Sequence, residues 1–239
     1  MTHPKDETIL GLIPARGGSK GIPRKNLAPV AGRPLLAWTV EAARASGVLD
    51  RIVVSTEDAE IAQVARTCGA EVPFMRPAEL ARDDTPGLEP VVHALETLAR
   101  DGYRPEWILL LQPTSPLRTA EDIRGARALR GRPEARSVIS VCEASHPPAW
   151  MRRLGADLEL LPYFPREEDP ATRQELPKAY ALNGALYLTH VEALLRERTF
   201  TPSRTYGYVM PPEHSIDIDS PWDLRVTDLV LRDRSGAPR

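Results

Sequence analysis

The 239-residue chain contains 42% hydrophobic and 27% charged side chains, which is the composition of a globular protein with a substantial core. Its 31 basic and 33 acidic side chains leave a formal net charge of −2, which argues against a nucleic-acid coat or a polybasic membrane binder, because both need a positive surface. No apolar run approaches the roughly 18–20 residues of a membrane span, and the polar N-terminus predicts no secretory signal. Two cysteines, Cys68 and Cys142, are too few for a disulfide framework, so we expect a protein of the reducing cytoplasm.

Buried strands alternate with helices through the first part of the chain. Short apolar runs predict strands at Ile9–Ile13, Arg51–Ser55, Ala70–Phe74, Trp107–Leu111 and Ser137–Cys142. Segments of helical length between them predict helices at Leu35–Ser46, Ala59–Thr67, Glu89–Arg100 and Ala120–Leu129. This alternation is typical of βαβ units, so we predict an α/β fold with a mostly parallel sheet flanked by helices. The ligand is then expected beyond the carboxyl ends of the strands.

The alternation stops between Glu143 and about Leu182. This stretch contains six prolines and the charge cluster Arg166-Glu167-Glu168-Asp169. It exceeds an ordinary loop in length and indicates an inserted arm, a lid or an oligomer contact. Beyond it, the sequence predicts strands at Ala185–Leu188 and Tyr206–Val209 and a last helix at Pro221–Leu231. We therefore predict one domain over residues 1–239, with an arm at about residues 143–182.

A glycine-rich basic loop follows the first predicted strand and is the strongest local signal in the sequence. It reads Ala15-Arg16-Gly17-Gly18-Ser19-Lys20-Gly21-Ile22-Pro23-Arg24-Lys25-Asn26. Its glycines let the backbone approach a ligand closely, and its four cations have no acidic neighbour within the loop. We expect the loop to bind an anion of several charges, such as a triphosphate, rather than to form a solvated basic turn. The spacing matches neither a Walker A loop nor the G-x-G-x-x-G motif of dinucleotide-binding dehydrogenases.

Two carboxylates in the segment Ser215–Asp219 form the second signal. If this segment is a strand, side-chain alternation places Asp217 and Asp219 on one face, roughly 6.5–7 Å apart along the chain. Paired hard oxygen ligands suit Mg²⁺, which takes one or two carboxylates together with phosphate oxygens and waters. A helix cap or a solvated edge is the alternative for an isolated D-x-D, so the metal assignment depends on a neighbouring triphosphate loop.

Polar residues also follow the strongest predicted strand, in the segment Leu111–Arg118. The carboxyl end of that strand places Gln112, Thr114 and Ser115 at the mouth of the site. Amide and hydroxyl side chains can recognise the hydroxyl or amide groups of a ligand without adding charge. A proline-fixed turn with caps for the following helix is the alternative reading of this segment.

Taken together, these motifs resemble the acylneuraminate cytidylyltransferases, the enzymes that activate sialic acid and its relatives. The resemblance covers about residues 9–231. It rests on the three segments just described and, in addition, on Arg76-Pro77-Ala78-Glu79-Leu80, Arg173-Gln174-Glu175-Leu176-Pro177 and Asn183-Gly184. It implies a Rossmann-like nucleotidyltransferase fold with a dimerising arm, hence a homodimer, and an Mg²⁺-dependent transfer of CMP from CTP to a small acidic acceptor.

The resemblance also implies roles for residues at matching positions. The catalytic group would comprise Arg16, Lys20, Lys25 and Arg173, the last reaching in from the arm. The nucleotide-binding group would comprise Ala15, Arg16, Ser19, Lys20, Asn26, Arg76 and Thr85. The acceptor-binding group would comprise Gln112, Thr114, Ser115 and Asn183, and the metal ligands would be Asp217 and Asp219.

The acceptor half departs from the family pattern at two places. Ala181 stands where bacterial sialic acid enzymes often carry arginine, and Ala149-Trp150 stands where they often carry lysine. Three hypotheses therefore stay open: a synthetase of CMP-nonulosonates such as sialic, legionaminic or pseudaminic acid, the same chemistry on a small phosphonate such as phosphonoformate, and a non-catalytic nucleotide-binding scaffold. Octulosonate (KDO) cytidylyltransferases fit less well, because their loop has Pro-Gly-Lys where this chain has Pro23-Arg24-Lys25.

Overall fold

A six-stranded sheet forms the centre of the computed structural model, which describes residues 7–164 and 176–235. In chain order, the described strands are β1 (Ile9–Pro14), β2 (Pro29–Val30), β3 (Arg33–Pro34), β4 (Arg51–Ser55), β5 (Trp107–Leu111), β6 (Ser137–Glu143), β7 (Arg152–Leu154), β8 (Leu160–Pro162), β9 (Tyr180–His190) and β10 (Thr205–Val209). The α-helices are α1 (Leu35–Ser46), α2 (Ala59–Thr67), α3 (Glu89–Arg100), α4 (Ala120–Leu129), α5 (Val191–Glu197) and α6 (Pro221–Ser235). No helix among these residues combines the length and the apolar character needed to cross a membrane.

The strand order in the central sheet is β10-β6-β9-β5-β1-β4. Strand β1 pairs in parallel with β4 and β5, and β6 pairs in parallel with β10, whereas β9 is antiparallel to both β5 and β6. The predicted fold, a mostly parallel sheet flanked by helices, is therefore confirmed. Strand β9 joins two parallel groups of strands and so carries its residues across the middle of the sheet.

Both faces of the sheet are covered by helices, which explains why the strands are continuously apolar. On one face, Ile13 of β1 belongs to the same core as Val40 of α1 and Ile61 of α2. On the other face, Leu12 of β1 packs in a second core that includes Leu95 of α3. Because side chains alternate along a strand, one short apolar run supplies both cores.

Two of the predicted strands are not strands. In Ala70–Phe74, only Glu71 forms an isolated parallel bridge, with Val53 of β4. Pro73 has no amide hydrogen to continue that pairing, so the ladder ends at once. The segment Ser215–Asp219 is also irregular and joins a 3-10 turn to α6, so the prediction that strand alternation aligns its two carboxylates is wrong.

The segment predicted as an arm, at about residues 143–182, begins and ends within strands of the central sheet. Tyr180, Ala181 and Leu182 lie in β9 and pair with Glu143, Cys142 and Val141 of β6, so they belong to the central sheet. Strands β7 and β8 form a separate antiparallel hairpin outside that sheet. The predicted arm residues 165–175, including Arg173, lie outside the described residues.

Candidate active site

A cleft of about 440 Å³ opens where β1 and β5 end. This is the edge at which a parallel sheet is expected to bind its ligand. The cleft is lined by eight of the residues that the sequence singled out: Arg16, Ser19, Lys25, Asn26, Arg76, Thr85, Gln112 and Thr114. The fold thus brings the basic loop, the Arg76 segment and the end of β5 to one cavity.

The cations Arg16 and Lys20 of the basic loop both contact Asp83. Nη2 of Arg16 lies 2.7 Å from one carboxylate oxygen of Asp83, and Nζ of Lys20 lies 3.1 Å from the other. The hydrogen bond from Lys20, followed by that from Arg16, holds the pKa of Asp83 below its ordinary value. The two predicted triphosphate ligands therefore already converge on one anionic group.

Backbone and side-chain hydrogen bonds fix the shape of the loop. The buried Ala15 donates its amide to Ser55 O at 2.9 Å, which places the loop directly beyond β1 and β4. Nδ2 of the buried Asn26 donates to Arg16 O at 2.8 Å. The amide of Gly17 donates to Oε1 of Glu57 at 2.6 Å. Asn26 and Ala15 therefore hold the loop, and Asn26 also lines the cleft.

Arg76 also lines the cleft and is only 5% exposed. Its amide donates to Thr56 O at 2.8 Å, and its Nη2 contacts Oε2 of Glu57 at 2.8 Å. Thr85 also lines the cleft, and its hydroxyl donates to Glu79 O at 3.0 Å. Glu57 has no motif around it in the sequence, and only the fold reveals it as the link between two segments that the sequence predicts to bind the nucleotide.

Lys25 connects the basic loop to the segment with the two carboxylates. Its Nζ donates to Ile218 O at 2.7 Å and lies 3.4 Å from Oδ1 of Asp219. A Cβ added at Gly21 would lie 2.6 Å from Asp219 O, so only glycine fits at this approach. The two segments are more than 190 residues apart in sequence, and these contacts bring them together.

Asp217 and Asp219 differ in environment. The side chain of Asp219 is 81% exposed, whereas Asp217 is half-buried, and its partial burial raises the pKa of its carboxyl group. The Thr114 side chain hydrogen-bonds the carboxylate of Asp217. The Oδ1 atom of Asp217 is buried and has no hydrogen-bond partner among the described residues. A Cβ built on Gly184, whose φ is +74°, would lie 3.5 Å from both Asp217 Oδ2 and Gln112 Oε1. Glycine therefore keeps open the space between the carboxylate and the cleft.

Two predicted acceptor residues do not line the cleft. Ser115 is fully buried. Asn183 is 8% exposed, accepts a hydrogen bond from Ser140 at 2.6 Å and donates to Oγ of Ser215 at 3.0 Å. In this structure Asn183 therefore braces β9 against β6 and against the segment that leads to Asp217.

Aromatic side chains that sequence reasoning missed form one end of the cleft. Tyr187 of β9 and Phe200 line it, and their ring centroids are 5.5 Å apart. Burial, and secondarily Asp217, raises the pKa of the Tyr187 phenol. The sequence offered one signal for Tyr187, which lies four residues beyond the predicted site residue Asn183. Both residues are on β9, and Tyr187 pairs there with Leu110 of β5, which also lines the cleft.

Arg118 supports the cleft from beneath. Its side chain is buried and donates to Gln112 O at 3.2 Å, Ala185 O at 2.9 Å and Oγ1 of Thr39 at 2.8 Å. Burial lowers the pKa of Arg118 to about 9, so the guanidinium remains a cation at neutral pH. One side chain thus joins the end of β5 and the middle of β9 to α1.

Comparison with known proteins gives consistent matches. A family model described as cytidylyltransferase matches residues 10–147. CMP-N,N'-diacetyllegionaminic acid synthase of Legionella pneumophila is 35% identical over 224 residues, which cover 93% of this chain and 96% of that protein. N-acylneuraminate cytidylyltransferase of Escherichia coli is 33% identical over 228 residues, which cover 95% of this chain but 53% of that protein. A solved CMP:2-keto-3-deoxy-manno-octonic acid synthetase complexed with CTP has a TM-score of 0.71 at 16% identity, covering 95% of this chain and 99% of the other, and this likeness concerns the fold.

Proposed function

The chain belongs to the cytidylyltransferase family, and we propose that it transfers CMP from CTP to a nonulosonic acid, with release of pyrophosphate. The observation that carries the proposal is the convergence of two groups at one cleft: Arg16, which lines it and shares the carboxylate of Asp83 with Lys20, and Thr114, which lines it and hydrogen-bonds the half-buried carboxylate of Asp217. The names of two relatives, a CMP-N,N'-diacetyllegionaminic acid synthase and an N-acylneuraminate cytidylyltransferase, support this class of acceptor.

In the proposed reaction, an oxygen of the acceptor attacks the α-phosphorus of CTP and pyrophosphate leaves. One P–O bond forms as another breaks, so the protein has to neutralise charge and hold the reacting groups in line. Arg16 and Lys20 would contact the triphosphate. Lys25, which is held by Ile218 O, would lie between nucleotide and acceptor. Gln112, at the end of β5, would orient the acceptor by hydrogen bonding.

We propose Mg²⁺ as the cofactor, held by Asp217 together with Asp219. The donor set fits, because the buried Oδ1 of Asp217 has no hydrogen-bond partner among the described residues and carboxylate oxygen is a preferred ligand of Mg²⁺. Two protein carboxylates suffice, since Mg²⁺ usually completes its shell with waters and substrate phosphates. When bound, the ion would offset negative charge on the phosphate oxygens. Lys25 would then exchange its contact with Asp219 for one with substrate.

We further propose that the chain forms a homodimer through the arm at residues 143–182. The hairpin of β7 and β8 presents large apolar side chains to solvent, among them Leu154 and Leu160, which are 64% and 67% exposed. These two residues are directly paired across the hairpin, and Trp150 and Met151 beside them are also exposed. An apolar patch of this kind on a protruding hairpin is typical of a subunit contact.

Incubation with CTP, Mg²⁺ and a panel of acceptors tests the proposed activity. We expect pyrophosphate release with at least one nonulosonic acid, and a product whose mass equals the acceptor joined to CMP. Release with phosphonoformate alone would replace the nonulosonic acceptor by the phosphonate. Binding of CTP without turnover on any member of the panel would favour the non-catalytic scaffold.

A further inference from the structure

We propose that Asp83 determines the anion selectivity of the nucleotide site, because its carboxylate occupies the position between Arg16 and Lys20 and has to be displaced by polyphosphate. This inference rests on the proposed function in one respect, namely that these two cations receive the triphosphate. Asp83 belongs to none of the segments that resemble the family motifs, and no role in the proposed reaction has been given to it above.

The carboxylate of Asp83 contacts Arg16 and Lys20 in the way that a phosphate group would. One oxygen of Asp83 contacts Arg16 at 2.7 Å and the other contacts Lys20 at 3.1 Å, so each cation has an oxygen of its own. Charge-assisted contacts of this length are also those that guanidinium and ammonium groups make with phosphate oxygens. A triphosphate that contacts both cations therefore competes with Asp83 for the same hydrogen-bond donors.

Displacement of Asp83 is physically easy. The side chains of Asp83 and Lys20 are 41% and 81% exposed, so water can solvate both groups once they separate. The turn that carries Asp83 has internal bonds from the Thr85 hydroxyl to Glu79 O at 3.0 Å and from the Thr85 amide to Arg82 O at 3.3 Å, and one longer bond, 3.4 Å from Nη1 of Arg16 to Ala81 O, ties it to the basic loop. The turn can thus move without breaking a strand or a helix.

The consequence is a bias toward ligands of high charge. A ligand with a single negative charge offers the two cations no more charge than Asp83 already supplies. Pyrophosphate and triphosphate bring several charges and can replace the carboxylate with a net gain in electrostatic energy. Asp83 therefore lowers the affinity for every anion that needs both cations, and a multiply charged anion has the additional charge with which to displace it.

The substitution Asp83→Asn tests this proposal, with Asp84→Asn as the matched control. Asp84 is the next residue, is exposed, and forms no ion pair with another described residue, so its replacement makes the same change in net charge. Binding of inorganic pyrophosphate, CTP and neutral cytidine is measured calorimetrically at fixed ionic strength. We expect Asp83→Asn to bind pyrophosphate and CTP about three- to tenfold more tightly than Asp84→Asn does, with cytidine affinity equal in the two.

Equal pyrophosphate affinity of the two variants would overturn the proposal. Weaker binding by Asp83→Asn would also overturn it, because Asp83 would then hold the two cations in place for the ligand. The proposed function is judged separately, by turnover of the native protein with CTP and an acceptor. A tighter Asp83→Asn variant in a protein without turnover would uphold the role of Asp83 and reject the cytidylyl transfer.

Discussion

Glu57 and Arg76 form an ion pair of 2.8 Å in which the Arg76 side chain is 3% exposed. The second carboxylate oxygen of Glu57 accepts the amide hydrogen of Gly17 at 2.6 Å. One carboxylate thus joins two segments at the cleft, because Gly17 belongs to the basic loop and Arg76 to the segment that follows Phe74. A buried cation needs such a partner, since leaving it unpaired costs several kcal/mol.

We expect Glu57→Ala to raise the KM for CTP by about tenfold or more, because both the loop amide and the Arg76 guanidinium lose their acceptor. Glu57→Gln should have a smaller effect, since its amide oxygen can still accept from Gly17. Glu60→Gln is the control, because Glu60 is 69% exposed and pairs with Arg24 on the surface. Steady-state kinetics with CTP varied provide the measurement. Equal KM values for Glu57→Ala and Glu60→Gln would contradict the role of Glu57 in joining the two segments.

Arg118 should contribute strongly to stability. Arg118→Met leaves the carbonyls of Gln112 and Ala185 and the hydroxyl of Thr39 without their donor, at a cost of about 3 kcal/mol or more in the free energy of unfolding. Thr39→Val removes one acceptor only and should cost about 1 kcal/mol. Urea unfolding of both variants measures the difference. A loss in Arg118→Met no larger than that in Thr39→Val would show that the contacts with the two carbonyls are dispensable.

Gly21 and Gly18 provide a matched pair within one loop. A Cβ at Gly21 would lie 2.6 Å from the backbone oxygen of Asp219, whereas a Cβ at Gly18 has no heavy atom within 4 Å. We therefore expect Gly21→Ala to lower the free energy of unfolding by about 1–3 kcal/mol, as for overpacking, and Gly18→Ala to change it by less than about 0.5 kcal/mol. Thermal unfolding followed by circular dichroism distinguishes them. Equal melting temperatures would mean that the 217–219 segment can move away freely.

Asp217→Asn should separate activity from stability. We expect turnover to fall by about 100-fold or more, because the proposed metal loses a charged ligand. Burial raises the pKa of Asp217, so the charged carboxylate costs more free energy in the folded than in the unfolded chain, and the neutral asparagine should leave stability unchanged or slightly higher. Turnover as a function of Mg²⁺ concentration and unfolding by urea are the two measurements. Glu213→Gln is the exposed control nearby, and full turnover by Asp217→Asn would reject the metal assignment.

The proposed dimer can be tested at the exposed hairpin. Replacement of both Leu154 and Leu160 by serine should convert a dimer to a monomer, because it removes the paired apolar side chains at the contact. Leu229→Ser is the control, since Leu229 on α6 is 61% exposed but distant in sequence from the arm. Light scattering after size-exclusion chromatography measures the mass of each variant. A native protein that is already monomeric would reject the proposed interface.

Local sequence patterns were sufficient for most of the secondary structure. The apolar run at Trp107–Leu111 and the helix at Leu35–Ser46 lie where the sequence predicts them, because strand and helix formation depend on residues within a few positions of one another. The pattern failed at Ala70–Phe74, where Pro73 ends the pairing with β4 after the single bridge at Glu71, and at Ser215–Asp219, which is irregular. A strand is stable only in a sheet, and pairing partners are distant in sequence.

The sequence by itself determined the class of protein, the alternation of strands and helices, and the basic loop after the first strand, since each depends on composition or on local spacing. Only the tertiary structure decided which residues surround the cleft. It partly buried Asp217 while exposing Asp219, placed Asn183 in a bracing position, and brought Asp83 onto Arg16 and Lys20. The physical reason is that burial and ion pairing depend on contacts between residues up to about 190 positions apart, which no local pattern specifies.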